Sequence, residues 1–489
     1  MNFIKQYTSL LLLILFSLPV LANEKSEKID QLIQSYHDIK EFNGNILVAQ
    51  NGNILLQKSY GYANFEWDIP NTPDTKFRIA SITKQFTAML IMLLAEEGKV
   101  DLQQTISTYL PNYRKDTAKQ VTIHHLLNHT SGIPSFFKHP EYRQIDMQNP
   151  YSLDEFIEKF CSGNLEFRPG SNFAYSNSGY TILGRIIEEV TSKSYWQVLE
   201  NKILNPLNMT NTGNDATKPL LKNRAYGYEK DFISYYNAKY TDMSIPYAGG
   251  SMYSTTGDLM RWDVALNANK LLDQSRYAQI YQTSEHQNYG YGWMIDKLNT
   301  QTYGKALTQV SHAGMIQGFN TQIARILEDK YLIVILNNTG GAPIRGMTTG
   351  ILNILYGKPF KLAQPRIFNV LYDTIKVKGL EAALAQYQTM HENGSGFSER
   401  SMNYFGYELM KVNELEAAIA FFKLNVLHAP DSSNVYDSLA EAYLTNGQYQ
   451  LALTNYQVAL EKNNENNNAQ QAIVTIKHKL SQQQNNLVE

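Results

Sequence analysis

Ser81-Ile82-Thr83-Lys84 opens a segment in which Phe86, Met89, Leu90, Leu93 and Leu94 recur at helical spacing, which predicts a buried helix over about Ser81–Glu97. Side chains three residues apart share a helix face, so Lys84 could take the proton of Ser81 without a histidine. The spacing alone also suits an N-cap serine followed by a solvated lysine. Ser135-Phe136-Phe137-Lys138 repeats it, but after Pro134 and with no helical periodicity behind it. Chemistry is therefore assigned to the first pair.

The chain has 489 residues, enough for two or three domains with cores of their own. Its 43% hydrophobic and 18% charged content is ordinary for a globular protein, although 33 tyrosines are many. Residues 1–22 read as a secretory signal. Lys5 is their sole charge, Leu10 to Val20 is apolar, and Val20-Leu21-Ala22 suits cleavage after small residues. The run is short for a membrane span, so a cleaved signal and a periplasmic or secreted mature chain are expected. Without Lys5, 42 basic residues face 45 acidic ones, a net charge of −3, which argues against nucleic acid as a partner. Cys161 is the only cysteine; it permits no intrachain disulfide and is read as a small buried hydrophobe.

From about residue 27 to 357, strand and helix signals mix. Asn45–Gln50 and Asn53–Lys58 flank Asn51-Gly52, a hairpin signature because Asn-Gly suits a type I′ turn. Thr321–Leu327 and Tyr331–Leu336 form a second pair of strand-like runs around Glu328-Asp329-Lys330. Between them lie helical stretches at Ile123–Leu127, Leu153–Phe160 and Ile182–Val190. One antiparallel sheet with packed helices and an all-α lobe is expected, an α+β fold.

The period then changes. Gly406, Leu409, Ala418, Phe422 and Pro430 recur 34 residues later as Ala440, Tyr443, Ala452, Tyr456 and Asn464, the spacing and residue classes of a tetratricopeptide repeat. The expected boundaries are a mixed strand-and-helix domain over 27–357, linker helices or a degenerate repeat over 365–398, repeats over 399–468 and a polar tail over 469–489. A plain helical bundle is the alternative. The repeats would dock on the first domain or on a protein partner.

Two further elements carry chemistry. Tyr175-Ser176-Asn177 lies between Pro169-Gly170 and Ser178-Gly179, a setting that exposes side chains and that separates it from Tyr62-Ala63-Asn64 and Tyr235-Tyr236-Asn237. A phenol near a lysine ammonium could become a phenolate base or relay a proton, and Asn177 could hold a substrate carbonyl. His312-Ala313-Gly314-Met315 precedes the second strand pair. Gly314 would let a substrate lie along the strand, and the Met315 amide could donate to an oxyanion.

Ser81-x-x-Lys84, Tyr175-x-Asn177 and His312-x-Gly314, in that order, resemble the serine hydrolases of the class C β-lactamase and penicillin-binding protein superfamily. Phe77-Arg78-Ile79-Ala80-Ser81, Leu126–Ile133, Pro206–Met209 and Ala248-Gly249-Gly250 fit as well, so the resemblance covers about two thirds of the chain. It implies a β-lactamase/transpeptidase-like domain with a five-stranded antiparallel sheet, and an acyl-enzyme on Ser81. It further implies proton transfer by Lys84 and Tyr175, positioning by Asn177, an oxyanion hole from the Ser81 and Met315 amides, and no metal or cofactor. His129-Thr130-Ser131-Gly132 is read as a structural turn, and His124 and His125 lack metal-ligand spacing. His-Ala-Gly replaces the usual Lys-Thr-Gly, so the fixed charge that would hold a penicillin carboxylate is missing, and a part-time histidine cation stands in its place.

The expected activity is that of an exported D-amino-acid peptidase or amidase, with an esterase or weak β-lactamase as the alternative. In the peptidase reading, a His312 imidazolium binds a substrate carboxylate and loses it as pH rises through about 6.5. A non-catalytic sensor of peptidoglycan or β-lactams is the reading of another class, and the intact Ser81, Lys84 and Tyr175 weigh against it.

Overall fold

Asn51 and Gly52 both adopt positive φ, 49° and 77°, as a type I′ turn demands. They close the first hairpin of a computed structural model that describes residues 23–144, 147–231 and 234–485. The segment read as an export signal lies outside the described residues. The hairpin strands are β1 (Gly44–Gln50) and β2 (Asn53–Tyr60), and four more follow: β3 (Met294–Leu298), β4 (Leu307–Ile316), β5 (Phe319–Ile326) and β6 (Tyr331–Asn337). They form one antiparallel sheet in the order β3-β4-β5-β6-β1-β2. The fold is thus α+β and β-lactamase-like, with six strands where the resemblance implies five.

Alternation along the central strands shows how the sheet is held. On β6, Leu332, Val334 and Leu336 join one core, while Tyr331, Ile333 and Ile335 join another on the opposite face. Strand β1 divides likewise, Leu47 and Ala49 against Ile46 and Val48. A sheet covered on both faces needs apolar residues at every position, which is why Tyr331–Leu336 reads as a continuous run rather than an alternating one. The second face is covered by a helix over residues 23–38 and by Ile344–Leu355, through Ile29, Leu32, Ile33, Met347, Ile351 and Leu355. The first face carries helix α1 (Thr83–Glu96) and the helical lobe.

In that lobe, Ile123–Leu127 and Leu153–Phe160 form helices as expected, and Ile182–Val190 falls within helix α2 (Asn177–Thr191). Ser152 caps the Leu153 helix by accepting from the Glu155 amide. Cys161 is fully buried, and burial pushes its thiol up to about 12, which leaves it inert.

The described residues from Pro365 onward, with Asp231 and Ser234, form a second compact unit. Its described part is helical, from Ile367–Lys378 to Asn467–Asn485, and closes its own core. Gly406 of Glu399–Lys411 faces the Phe422 ring of Leu415–His428; a Cβ there would sit 2.4 Å from ring carbons. Ala418, Ala440 and Ala452 are fully buried, so small residues mark where these helices approach closely.

Candidate active site

Ser81 does not begin the helix. It sits in a 3₁₀ turn, Ala80–Ile82, and α1 starts at Thr83. Ala80 is held at φ +46°, a left-handed conformation unfavourable for a residue with a Cβ, so the surrounding packing fixes the bend that presents Ser81. Lys84 lies in the first turn of α1 with no exposed surface. Its ammonium has three acceptors: Ser81 Oγ at 3.1 Å, Asn177 Oδ1 at 2.7 Å and the Gly249 carbonyl at 2.7 Å. Burial pulls Lys84 down from 10.5 to about 7, and none of the three acceptors carries a full charge to restore it. A large share is therefore the free amine near neutral pH, able to accept the Ser81 proton.

Asn177 opens α2, and Tyr175 lies just before it in a loop clamped by His129. The His129 carbonyl accepts from Ala174 N at 3.0 Å, and its Nδ1 accepts from Ser176 N at 3.1 Å. The imidazole packs on the Tyr175 ring at 4.3 Å between centroids. His129 has φ +61° and is a structural turn residue as read, and its ring also fixes the loop on both sides of Tyr175. Tyr175 hydrogen-bonds Ser81, and its ring lies 5.0 Å from Lys84 Nζ. Here the phenolate expectation fails. Burial raises the Tyr175 phenol above its ordinary 10, and the Ser81 hydrogen bond only partly offsets this. Tyr175 stays protonated, which leaves Lys84 as the group beside Ser81 whose proton is loosely held.

His312 lies on β4, buried, with Nδ1 donating to the Ala313 carbonyl at 2.7 Å. Nε2 is then the acceptor, taking the Tyr289 hydroxyl at 2.9 Å. Burial, then the charge of Lys84, pulls His312 down to about 3. The expected carboxylate-binding imidazolium is thus overturned, because the ring is neutral through the physiological range. Gly314 also has a different reason from the one expected. A Cβ on it would sit 2.2 Å from the Ile79 carbonyl and 2.4 Å from Thr321 Oγ1. Glycine there lets β4 press against the turn that carries Ser81.

Strand β3 pairs with β4 only over Leu307–Ser311, so the β4 edge from His312 onward faces the cleft. That cleft, of about 370 Å³, is lined by Ser81, Tyr175, Asn177, His312 and Met315 together with Phe136, Phe137, Pro246 and Ile316. Met315 is 79% and Phe137 51% exposed at its mouth. Gly249 and Tyr289 were not singled out from sequence. Gly249 sits in the quoted Ala248-Gly249-Gly250, whereas Tyr289 is marked only by the run Tyr289-Gly290-Tyr291-Gly292.

The second Ser-Lys pair is not brought together for chemistry. Ser135 Oγ accepts from Asn177 N at 3.4 Å, while Lys138 pairs with Glu166 at 2.7 Å on the surface. His124 bonds Tyr291 and Asn128, and His125 completes a capping box with Thr122. No helix among the described residues is long and apolar enough to cross a membrane.

A family model described as Beta-lactamase matches residues 29–354. The chain is similar to Protein flp of Staphylococcus aureus (strain NCTC 8325 / PS 47), 30% identical over 332 residues that cover 65% of this chain and 64% of that protein. The chain thus spans just under two thirds of that relative's length. It is 28% identical over 363 residues to Penicillin-binding protein 4* of Bacillus subtilis (strain 168), covering 70% of this chain and 78% of that one. Among solved structures, D-amino acid amidase from Ochrobactrum anthropi SV3, complexed with L-phenylalanine amide, matches with a TM-score of 0.59 at 25% identity, over 68% of this chain and 99% of that one. The matched segment takes in the whole sheet and every residue of the cleft, and the chain belongs to the beta-lactamase family.

Proposed function

We propose that this chain is an exported serine hydrolase that forms an acyl-enzyme on Ser81 and prefers substrates uncharged next to the scissile bond. The supporting observation is Lys84, fully buried, pulled down to about 7 and 3.1 Å from Ser81 Oγ. Neutral Lys84 takes the Ser81 proton as Oγ bonds to the acyl carbon. The carbonyl oxygen becomes an oxyanion, which the Ser81 and Met315 amides receive. Collapse breaks the bond to the leaving group, which collects a proton through Tyr175 from the Lys84 ammonium. Water then attacks the acyl carbon, giving its proton to Lys84, and Ser81 leaves and is reprotonated. Asn177, whose oxygen is held by Lys84, keeps its NH₂ for the substrate carbonyl.

Neutral His312 and the apolar cleft wall select among the activities. A carboxylate adjacent to the scissile bond would meet an imidazole without charge, beside Phe136, Pro246 and Met315. This favours amidase or esterase action, as in the D-amino acid amidase to which the chain is similar, over penicillin or free-acid peptide cleavage. In this reading residues 1–22 export the chain and 27–357 hold the chemistry. Residues 365–398 lead into tetratricopeptide-like repeats over 399–468, which recruit a protein partner, and 469–489 are a polar tail.

Fluorophosphonate labelling tests the nucleophile. Wild type should label and Ser81→Ala should not, with turnover several orders of magnitude lower in a folded protein. Appreciable turnover by Ser81→Ala would sink the assignment. D-Phenylalanine amide should be cleaved in preference to a dipeptide ending in a free carboxylate; the reverse order would restore the peptidase.

A further inference from the structure

Arg78 and Arg224 share one carboxylate. The Asp215 side chain is wholly buried; Oδ2 accepts from Arg78 Nε at 2.5 Å and Oδ1 from Arg224 Nη1 at 2.8 Å. A single carboxylate neutralises a single guanidinium, so the trio keeps a net positive charge. Among the described residues nothing else accepts from their remaining N–H groups. The contrast is Arg325, whose Nε, Nη1 and Nη2 are taken up by Asp263, Tyr281 and Asn267 in a buried cluster. Arg325 is a sealed structural pair, whereas Arg78, its guanidinium 5.9 Å from the Phe319 ring, and Arg224, 34% exposed, still have open N–H groups.

What they open into is a cavity of about 290 Å³, lined also by Lys239, Tyr226, Tyr240 and Gln317. Among the described lining residues none is acidic. Asp242 stands behind the lining, accepting from Ser244 N, Thr217 Oγ1 and the Tyr240 hydroxyl, and Glu229 accepts from Gly318 N, so the cationic groups that line the cavity itself are Arg78, Arg224 and Lys239. Rigid, paired guanidiniums with unused donors recognise planar oxyanions. The cavity and the catalytic cleft border the same β4–β5 turn, where Ile316 lines the cleft and Gln317 the cavity. Gln317, in the turn, follows Met315 by two residues.

We infer that this second cavity is a subsite for an oxyanionic group, a carboxylate or phosphate, carried by the substrate away from its scissile carbonyl. The subsite role rests on Ser81 being the nucleophile; the anion site itself does not. It is compatible with a neutral His312, because the charge is read beyond the turn and not beside the reacting bond.

Two measurements on the full-length protein test it. Inorganic phosphate and glutarate are titrated by calorimetry into wild type, Arg224→Gln and Lys239→Gln. Separately, kcat/KM is compared for p-nitrophenyl esters whose acyl chains, of graded length, end in carboxylate, phosphate or carboxamide. Saturable anion binding should appear in wild type and weaken in both variants. At one chain length a charged tail should outperform the carboxamide about tenfold through KM, a preference lost in the variants while p-nitrophenyl acetate turnover is unchanged. The tail with the larger advantage names the source of the anion. Absence of saturable binding, or binding unaltered in both variants, overturns the site; equal rates for charged and neutral tails at every length overturn the subsite. If no ester is turned over, the Ser81 reading has failed, and the phosphate titration alone decides the anion site.

Discussion

Lys84 has three N–H donors and three acceptors, the geometry of an ammonium, in a pocket that charges it poorly. Its protonation should therefore govern the acid limb of activity. Below about 7 the amine is protonated and cannot accept from Ser81, so kcat/KM should fall about tenfold per pH unit and level off above. His312, pulled down to about 3, contributes no step near 6.5. His312→Gln should leave the midpoint of the limb unmoved in a pH–rate profile; a midpoint that shifts with this substitution would return His312 to the titrating machinery. The sequence made Ser81, Lys84, Tyr175 and Asn177 visible as a constellation because spacing and glycine context survive in one dimension, and the structure does bring them together. It hid their protonation states. Whether Tyr175 is phenol or phenolate, and His312 neutral or charged, depends on burial and on partners such as Tyr289 and Ala313, which no local spacing announces.

Elements were legible where local chemistry decides them. Asn51-Gly52 determines a turn type, and the structure keeps it. The α1 start was placed too early, at Ser81, because helical periodicity cannot distinguish a 3₁₀ turn from the helix it leads into. The left-handed Ala80 that separates them is set by tertiary packing. Gly314 shows the same dependence. Its freedom is spent on contact between β4 and the Ile79 carbonyl, so Gly314→Ala must push the strand from the Ser81 turn. Overpacking of this kind costs about 1–3 kcal/mol, and a displacement near 1 Å at a reacting group costs about a hundredfold in rate. Thermal denaturation and kcat on a neutral ester should both register the change. A variant as stable and as active as wild type would show that strand and turn are not pressed together there.

At the scale of the whole molecule, three cores are closed among the described residues, one on each face of the sheet and one from residue 365 onward. Ser81, Lys84, Tyr175, Asn177, His312 and the amide of Met315 all belong to the first unit, as do both cavities invoked for substrate. The 34-residue recurrence begins only after residue 396, whereas the second unit begins at Pro365, so the helices before the recurrence carried no periodic signal in the sequence. What the helices of this unit bind is not written in their composition, because alanine and glycine at a seam report packing rather than a ligand. Chemistry and helices should accordingly separate. A chain ending at Gln364 should turn over a small neutral ester at the rate of the full chain and keep the pH limb set by Lys84, because none of the groups that move the proton has been removed. The full chain should unfold in two calorimetric transitions, and the truncated chain should lose one of them. A folded truncation with the remaining transition intact but no turnover would show that the helical unit completes the active site, and the assignment of the chemistry to residues 27–357 would fall.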